Sequence, residues 1–454
     1  MITNNIEVTA APDWLGKALL AMVVAAALLN GSVYWLKRVG WVDAEAYQAV
    51  QAEFRQWQLG TIYEHLDEDT QDKLYLEFKA SSQDMFYSVN GYEKLTKIAK
   101  EIVIALLLVV SAGIVVSFKQ LKYLLRDTVA VLLLGIILLM GIVSWFETGL
   151  LVSLAGLYSF AFLLIALLSG WLAHFGYLRF FAACMLVLAV MQIVLVPFEL
   201  RLAYDAFTGG SKLGDRLVGT HLQPSTAGIV AAITMVFVAK WGTLLARRII
   251  IVITGILVFF SGSGAAFFLF LLGLIVLYPQ RIPGAKWLGT TLSASIWVGL
   301  CLVLTPVLVR RDIYASLFER LQILLEYFDS GLSGMQYLFG QGLGAGTNSV
   351  LSLARYSDST RDLSYPFLFS ADSTVTMLVA QVGIVGCLLF YAMLFSAGWR
   401  DAKSRAIYLV IGLASLTINI PEVYPINVLL GMLLAHSFMV SHPESHQEAL
   451  RVST

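Results

Sequence analysis

Apolar runs recur along this chain, most of them 16 to 25 residues long and without an interior charge. A helix needs about 20 apolar residues to cross about 30 Å of hydrocarbon, and helices satisfy their own backbone polar groups in lipid. The pattern therefore predicts an all-α polytopic membrane protein. About twelve transmembrane helices are expected, over 15–36, 101–118, 128–146, 149–169, 178–198, 222–239, 246–261, 264–279, 287–309, 373–397, 406–420 and 425–440. The pairs 128–146/149–169 and 246–261/264–279 have almost no linker and read as tight helical hairpins. The last two spans are short, with a hinge at Ile420-Pro421-Glu422 and Tyr424-Pro425. Residues 1–454 are expected to form one membrane domain.

Charged residues are only 13% of the chain, and 30 basic residues balance 30 acidic ones, so no global field points to nucleic acid. Cys184, Cys301 and Cys387 all fall inside apolar runs, where a thiol behaves as a small hydrophobe, and no disulfide framework is expected.

Orientation follows from lysine and arginine in the short connections. One alternate set carries Lys119, Lys122, Arg126, Arg179, Lys240, Arg247, Arg248, Arg281, Lys286, Arg400, Lys403 and Arg405; the other carries Arg201, Lys212 and Arg216. Twelve against three places both termini in the cytoplasm and the long segments 37–100 and 310–372 outside. Lys37 and Arg38 after the first span argue locally for the reverse, and the sum over many loops outweighs them. The first span exceeds the usual signal-peptide h-region and lacks a strongly basic flank, so it is expected to stay as an anchor.

The insert at 37–100 carries Tyr47, Val50, Phe54 and Trp57 at helical spacing, which predicts an amphipathic cap helix, with a second helix from Asp69 or Thr70. Asp67-Glu68-Asp69 reads as a solvated turn rather than a metal site. The segment 310–372 is polar and rich in guanidinium groups and glycine, without a cysteine or metal-ligand cluster. It is where chemistry on an anionic, membrane-attached substrate is expected.

Four stretches stand in order: Arg216-Leu-Val-Gly219-Thr-His221-Leu-Gln-Pro224-Ser225; Phe260-Ser261-Gly-Ser263-Gly264-Ala-Ala; Leu338-Phe339-Gly340-Gln-Gly342-Leu-Gly344-Ala-Gly346-Thr347; and Asp372-Ser373 leading to Val382-Gly383-Ile-Val-Gly386. In order and placement the set resembles the bacterial O-antigen ligase and O-antigen/exopolysaccharide polymerase superfamily, over roughly residues 100–440. The resemblance implies a GT-C-like glycosyltransferase that works without a metal or other cofactor. It would move a glycan from undecaprenyl diphosphate to a lipid-linked oligosaccharide acceptor on the periplasmic side, with inversion at the anomeric carbon. Flippase and chain-length regulator proteins would be its partners. Ligase-like members carry Arg where Gly264 stands and His-Asn where Asp372-Ser373 stand, which favours a polymerase, with transfer to lipid A-core as the alternative.

A departing lipid diphosphate concentrates negative charge, and without a metal it needs preorganised cations. Arginine suits this because its planar fork binds phosphate oxygens in pairs. Arg216, Arg310, Arg311 and Arg320 are the candidates, each of which could instead anchor at the interface or pair with a neighbouring acid. The attacking hydroxyl must lose a proton, so a base is expected within reach. Asp372, where the loop re-enters the membrane, is one candidate and His221 the other; Asp372 could also simply N-cap the following helix. Gly342 and Gly344, with Gly340 and Gly346, could cradle the substrate or allow tight backbone turns. No strand precedes them and no Gly-Lys-Ser/Thr follows, so they are not a nucleotide loop. Asn30, Glu147, His174, Gln192, Asn419, Glu422 and His436 are polar groups near the membrane that could line a pathway, which keeps a polysaccharide transporter or flippase as a reading from another class.

Overall fold

The computed structural model describes residues 12–38, 91–116, 127–207, 217, 219–221, 224–281, 289–308, 313–329, 331–347 and 373–440. The cap helices expected within 41–90 lie outside these residues. In chain order the helices are α1 (Asp13–Arg38), α2 (Gly91–Val116), α3 (Thr128–Thr148), α4 (Leu150–Tyr158), α5 (Ala161–Leu168), α6 (Phe175–Phe207), α7 (Pro224–Trp241) and α8 (Leu244–Ser261). They continue with α9 (Gly264–Leu277), α10 (Thr290–Leu308), α11 (Ile313–Asp329), α12 (Gly334–Phe339), α13 (Thr374–Arg400), α14 (Arg405–Ala414) and α15 (Ile426–Val440).

Among the described residues there is no strand, and four helices are long and apolar enough to cross a membrane: α3, the 175–197 part of α6, α8 and α13. The bent pair α4–α5 makes a fifth. The fold is that of a helical membrane protein. Leu132, Leu138, Ile142, Phe146, Val252, Phe259 and Phe395 stand exposed on its outer helices, as a lipid-facing surface requires.

Helix boundaries follow from local chemistry. The Ser263 hydroxyl accepts from the Ala266 N–H (3.3 Å) to open α9, Thr243 does the same for α8, and Asp127 for α3. Two helices are apolar on every side and accordingly sit inside. α7 is buried along nearly its whole length against α6, α8, α9 and α14; α15 is buried against α5 and α13.

Three of the expected spans differ from simple crossings. The run 149–169 is one bent unit, α4 and α5 meeting at 67° across Ser159 and Phe160. The last two runs give α14, ten residues and about 15 Å long, and α15, fifteen residues and about 22 Å. Both fall short of the roughly 30 Å of a bilayer core. They are joined by a turn made of a 3-10 segment at Ile420–Glu422 followed by a cis Tyr424-Pro425 bond.

The helix after the arginine-rich segment is also broken. Gly383 has φ 70° and ψ −176° inside α13. A straight helix would hold Thr374 and Tyr391 about 25 Å apart. Instead both reach Ser415: the Thr374 N–H donates to its carbonyl at 3.0 Å, and the Tyr391 hydroxyl lies 2.7 Å from its Oγ. The chain therefore folds sharply at Gly383.

The glycine loop fills that break. Residues 340–347 were expected in the aqueous excursion, yet all eight are buried against α3, α4 and α13. A break in a helix interrupts its hydrogen-bond ladder, and the Ala380 carbonyl accepts from the Gln341 N–H at 2.7 Å. Gly340 (φ 92°) lies on the Gln381 carbonyl and Gly383 on the Leu338 carbonyl, approaches that any Cβ would block.

Candidate functional site

The α4–α5 bend and the α14–α15 turn meet. Where α4 turns into α5, the Ser159 hydroxyl donates to Glu422 Oε1 at 2.9 Å, joining that bend to the α14–α15 turn. The neighbouring Tyr158 hydroxyl lies within electrostatic reach of the Glu422 and Glu101 carboxylates and of Tyr424. Tyr424 is fixed by donating to the Val23 carbonyl of α1 at 2.7 Å. Thr374, at the start of α13, clamps the same turn, donating from Oγ1 to the Ile418 carbonyl and accepting from the Ile420 N–H, both at 2.9 Å. Asn419 is 5% exposed, and neither of its amide atoms has a hydrogen-bond partner among the described residues. Desolvating a carboxylate and an unpartnered amide among packed helices is costly, and polar groups kept inside a helical bundle against that cost mark function more often than packing.

The sequence motifs converge in pairs. Leu217, from the first stretch, donates its N–H to the Phe260 carbonyl of the second at 2.9 Å, and Gly228 just beyond lies against Ser261 with no room for a methyl. The third stretch sits in the break of the fourth, as described for Gly340 and Gly383.

His221 ends a 3-10 turn, Gly219–His221, that packs on α1, α6 and α7. Its Nε2 is 3.1 Å from Thr220 Oγ1, which also accepts from Gln192 Nε2 at 3.4 Å. Burial first, and the Lys100 ammonium of α2 second, push the imidazole well below its usual pKa, so it is neutral at pH 7 and a weak proton acceptor in this setting. Lys100 and Glu101 are consecutive in α2, and they link the His221 turn to the cluster around Tyr158 and Glu422.

Arg320 is half-buried on α11. That helix leaves Phe318, Leu321 and Leu325 exposed at 67%, 50% and 55%, an apolar stripe at helical spacing. Such a stripe fits a helix lying in the membrane interface, where a guanidinium would stand at headgroup level. Its far end is tied to the glycine loop, because Gln341 Nε2 donates to the buried Tyr327 hydroxyl at 3.2 Å and Tyr337 donates to the Phe328 carbonyl at 2.6 Å. Gly342 and Gly344 belong to the buried loop, against Ser144 and Val152 respectively, so helix packing accounts for both. Arg216, Arg310, Arg311 and Asp372 lie outside the described residues. The N-cap of α13 is Ser373, whose hydroxyl accepts from the Thr376 N–H at 3.2 Å, so the capping role considered for Asp372 falls to its neighbour.

The cluster at Glu422 was visible in sequence only as one acid between two prolines near the membrane. Tyr158, Ser159 and Glu101 carried no such signal, because nothing local marks a residue that becomes important through a partner some 260 positions away in the chain. Comparison with models of known families, with curated proteins and with solved structures finds no match. The class is thus set by the fold, a helical membrane protein with a polar cluster where two broken helical pairs meet.

Proposed function

We propose that this protein is a metal-independent membrane glycosyltransferase, a polysaccharide polymerase that transfers a glycan from undecaprenyl diphosphate to a lipid-linked oligosaccharide acceptor. The observation that carries the reading is the Glu422 cluster. It sits between the His221 turn and the start of α13, the helix that Asp372 precedes by two positions. The acceptor hydroxyl attacks the anomeric carbon, the bond to the diphosphate breaks, and the hydroxyl proton passes to a base among Asp372, His221 and Glu422. Arg320, with Arg216, Arg310 and Arg311, neutralises the departing diphosphate. The exposed stripe of α11 supports this role, since it suits a cation presented to a lipid-borne anion. The twelve-span arrangement, GT-C-like architecture, bacterial inner-membrane location and periplasmic site belong to the same proposal.

Discontinuous helices meeting at a buried polar turn also suit a transport site, which favours a lipid-linked glycan exporter as a second reading. Purified protein in liposomes with undecaprenyl-diphosphate oligosaccharide separates the readings. Chain growth supports the polymerase; transfer only when lipid A-core is added means a ligase; movement between leaflets without a new glycosidic bond removes the enzyme reading. Arg320→Ala and Asp372→Ala are each expected to abolish polymer while membrane insertion is retained, and normal chain length in both would remove this site assignment.

A further inference from the structure

The end of the bundle opposite the glycine loop gathers cations from separate helices. Lys403, in the turn between α13 and α14, lies with its Nζ 3.7 Å from the ring centroid of Trp241 and 4.1 Å from that of Phe175. Arg179 of α6 and Lys240 of α7 are within electrostatic reach of Lys403, and Arg247 of α8 is within reach of Lys240. Among the described residues the carboxylate within reach of Lys403 is Asp401, whose Oδ1 caps the backbone N–H groups of Lys403 and Ser404 while its Oδ2 makes no hydrogen bond. Arg247 spends its Nε on the Ala239 carbonyl at 2.8 Å. Arg179 and Lys240 have no hydrogen bond or ion pair among the described residues. The Trp241 ring is buried, and its Nε1–H likewise lacks a partner there.

Like charges crowded in this way are unfavourable unless an anion joins them. Burial first lowers the Lys403 pKa; Asp401 opposes that, and Arg179 and Lys240 lower it further. The surroundings say what kind of anion. Phe175, Leu244 and Leu245 stand 53%, 63% and 67% exposed on the helices that carry the cations, so the anion sits beside bare hydrocarbon-binding surface. A free phosphate has no use for that surface, whereas a phospholipid uses both parts.

We propose that Arg179, Lys240, Arg247 and Lys403 form a binding site for the phosphate headgroup of an anionic phospholipid, whose acyl chains lie along Phe175, Leu244 and Leu245. The site is independent of any glycosyl transfer. Each cation near an anionic headgroup strengthens binding by enough that removing two is expected to lower affinity about thirtyfold.

The full chain is purified in detergent with equal phosphatidylglycerol and phosphatidylcholine, and retained lipid is quantified by native mass spectrometry. The wild type should retain phosphatidylglycerol selectively. In R179Q/K240Q that selectivity should vanish, while R248Q, which removes an exposed cation of the same belt, should keep it. Because Arg179 is exposed, R179Q alone should fold and lose selectivity about fivefold if the double variant does not fold. Equal selectivity in the wild type and in R179Q overturns the site, and so does an equal loss in R248Q, which would mean diffuse charge. Displacement of the lipid by millimolar inorganic phosphate would show that the site takes free anion instead.

Discussion

Gly340→Ala tests how the glycine loop is held. Gly340 has φ 92°, a region that costs a residue with a side chain about 1–3 kcal/mol. Its new methyl would also collide with the Gln381 carbonyl, which is backbone and cannot rotate away, and such overpacking costs about 1–3 kcal/mol more. Shifting the loop to relieve the clash would break the bond between the Gln341 N–H and the Ala380 carbonyl, worth about 1 kcal/mol. Whether the clash is borne or relieved at the expense of that bond, seating of the loop weakens by roughly 2 to 6 kcal/mol, or about thirtyfold or more in its seated population. Gly334, six residues earlier, has open space around a Cβ and no positive φ, so Gly334→Ala is the matched control. In a background with the three native cysteines replaced, Ala345→Cys is buried in the loop and should react slowly with a maleimide. Labelling should accelerate with Gly340→Ala and stay slow with Gly334→Ala. Equal rates in all three proteins would refute the idea that this close approach seats the loop.

Other substitutions bear on the Glu422 cluster and on the proposed chemistry. Ser159→Ala removes a hydrogen bond to a carboxylate worth about 1.5–3 kcal/mol and should lower the detergent melting temperature, whereas Ser159→Thr should restore it if the added methyl is accommodated. Glu422→Gln keeps the shape and removes the charge; in the reconstituted transfer assay it should lower kcat by at least tenfold, and unchanged turnover would remove Glu422 from the list of bases. His221 gives a pH signature. Its folded pKa lies below the unfolded value of about 6.5, so the unfolded chain takes up the proton first and stability falls as pH drops through that value. His221→Gln should therefore lose less thermal stability between pH 7 and pH 5 than the wild type, and parallel losses would contradict a buried neutral imidazole. Asp127→Asn breaks the ion pair with Arg400 that ties the start of α3 to the end of α13, and should lower the melting temperature at low salt.

The residues along the chain determined its class and much of its helical outline. Apolar length is a local property, and so are the caps at Asp127, Thr243 and Ser263, each set by a hydroxyl or carboxylate three positions from the N–H it receives. The basic connections were also legible in sequence, whereas that Arg179 and Lys240 come within electrostatic reach of Lys403, and Arg247 of Lys240, was not. What the tertiary structure alone decided was where helices stop being continuous. Leu150–Leu168 reads as one span, because hydropathy reports composition and is blind to the 67° bend between α4 and α5. The glycine loop is the clearest instance. Its alternating glycines suggested a ligand cradle and tight turns equally, and the difference lies in the Gln381 and Leu338 carbonyls, which come close enough to exclude a side chain only once α13 has folded at Gly383. Glu422 likewise became a candidate through Ser159 and Tyr158, partners supplied by another broken helix, and a contact between two breaks is a property of the packed bundle rather than of either segment.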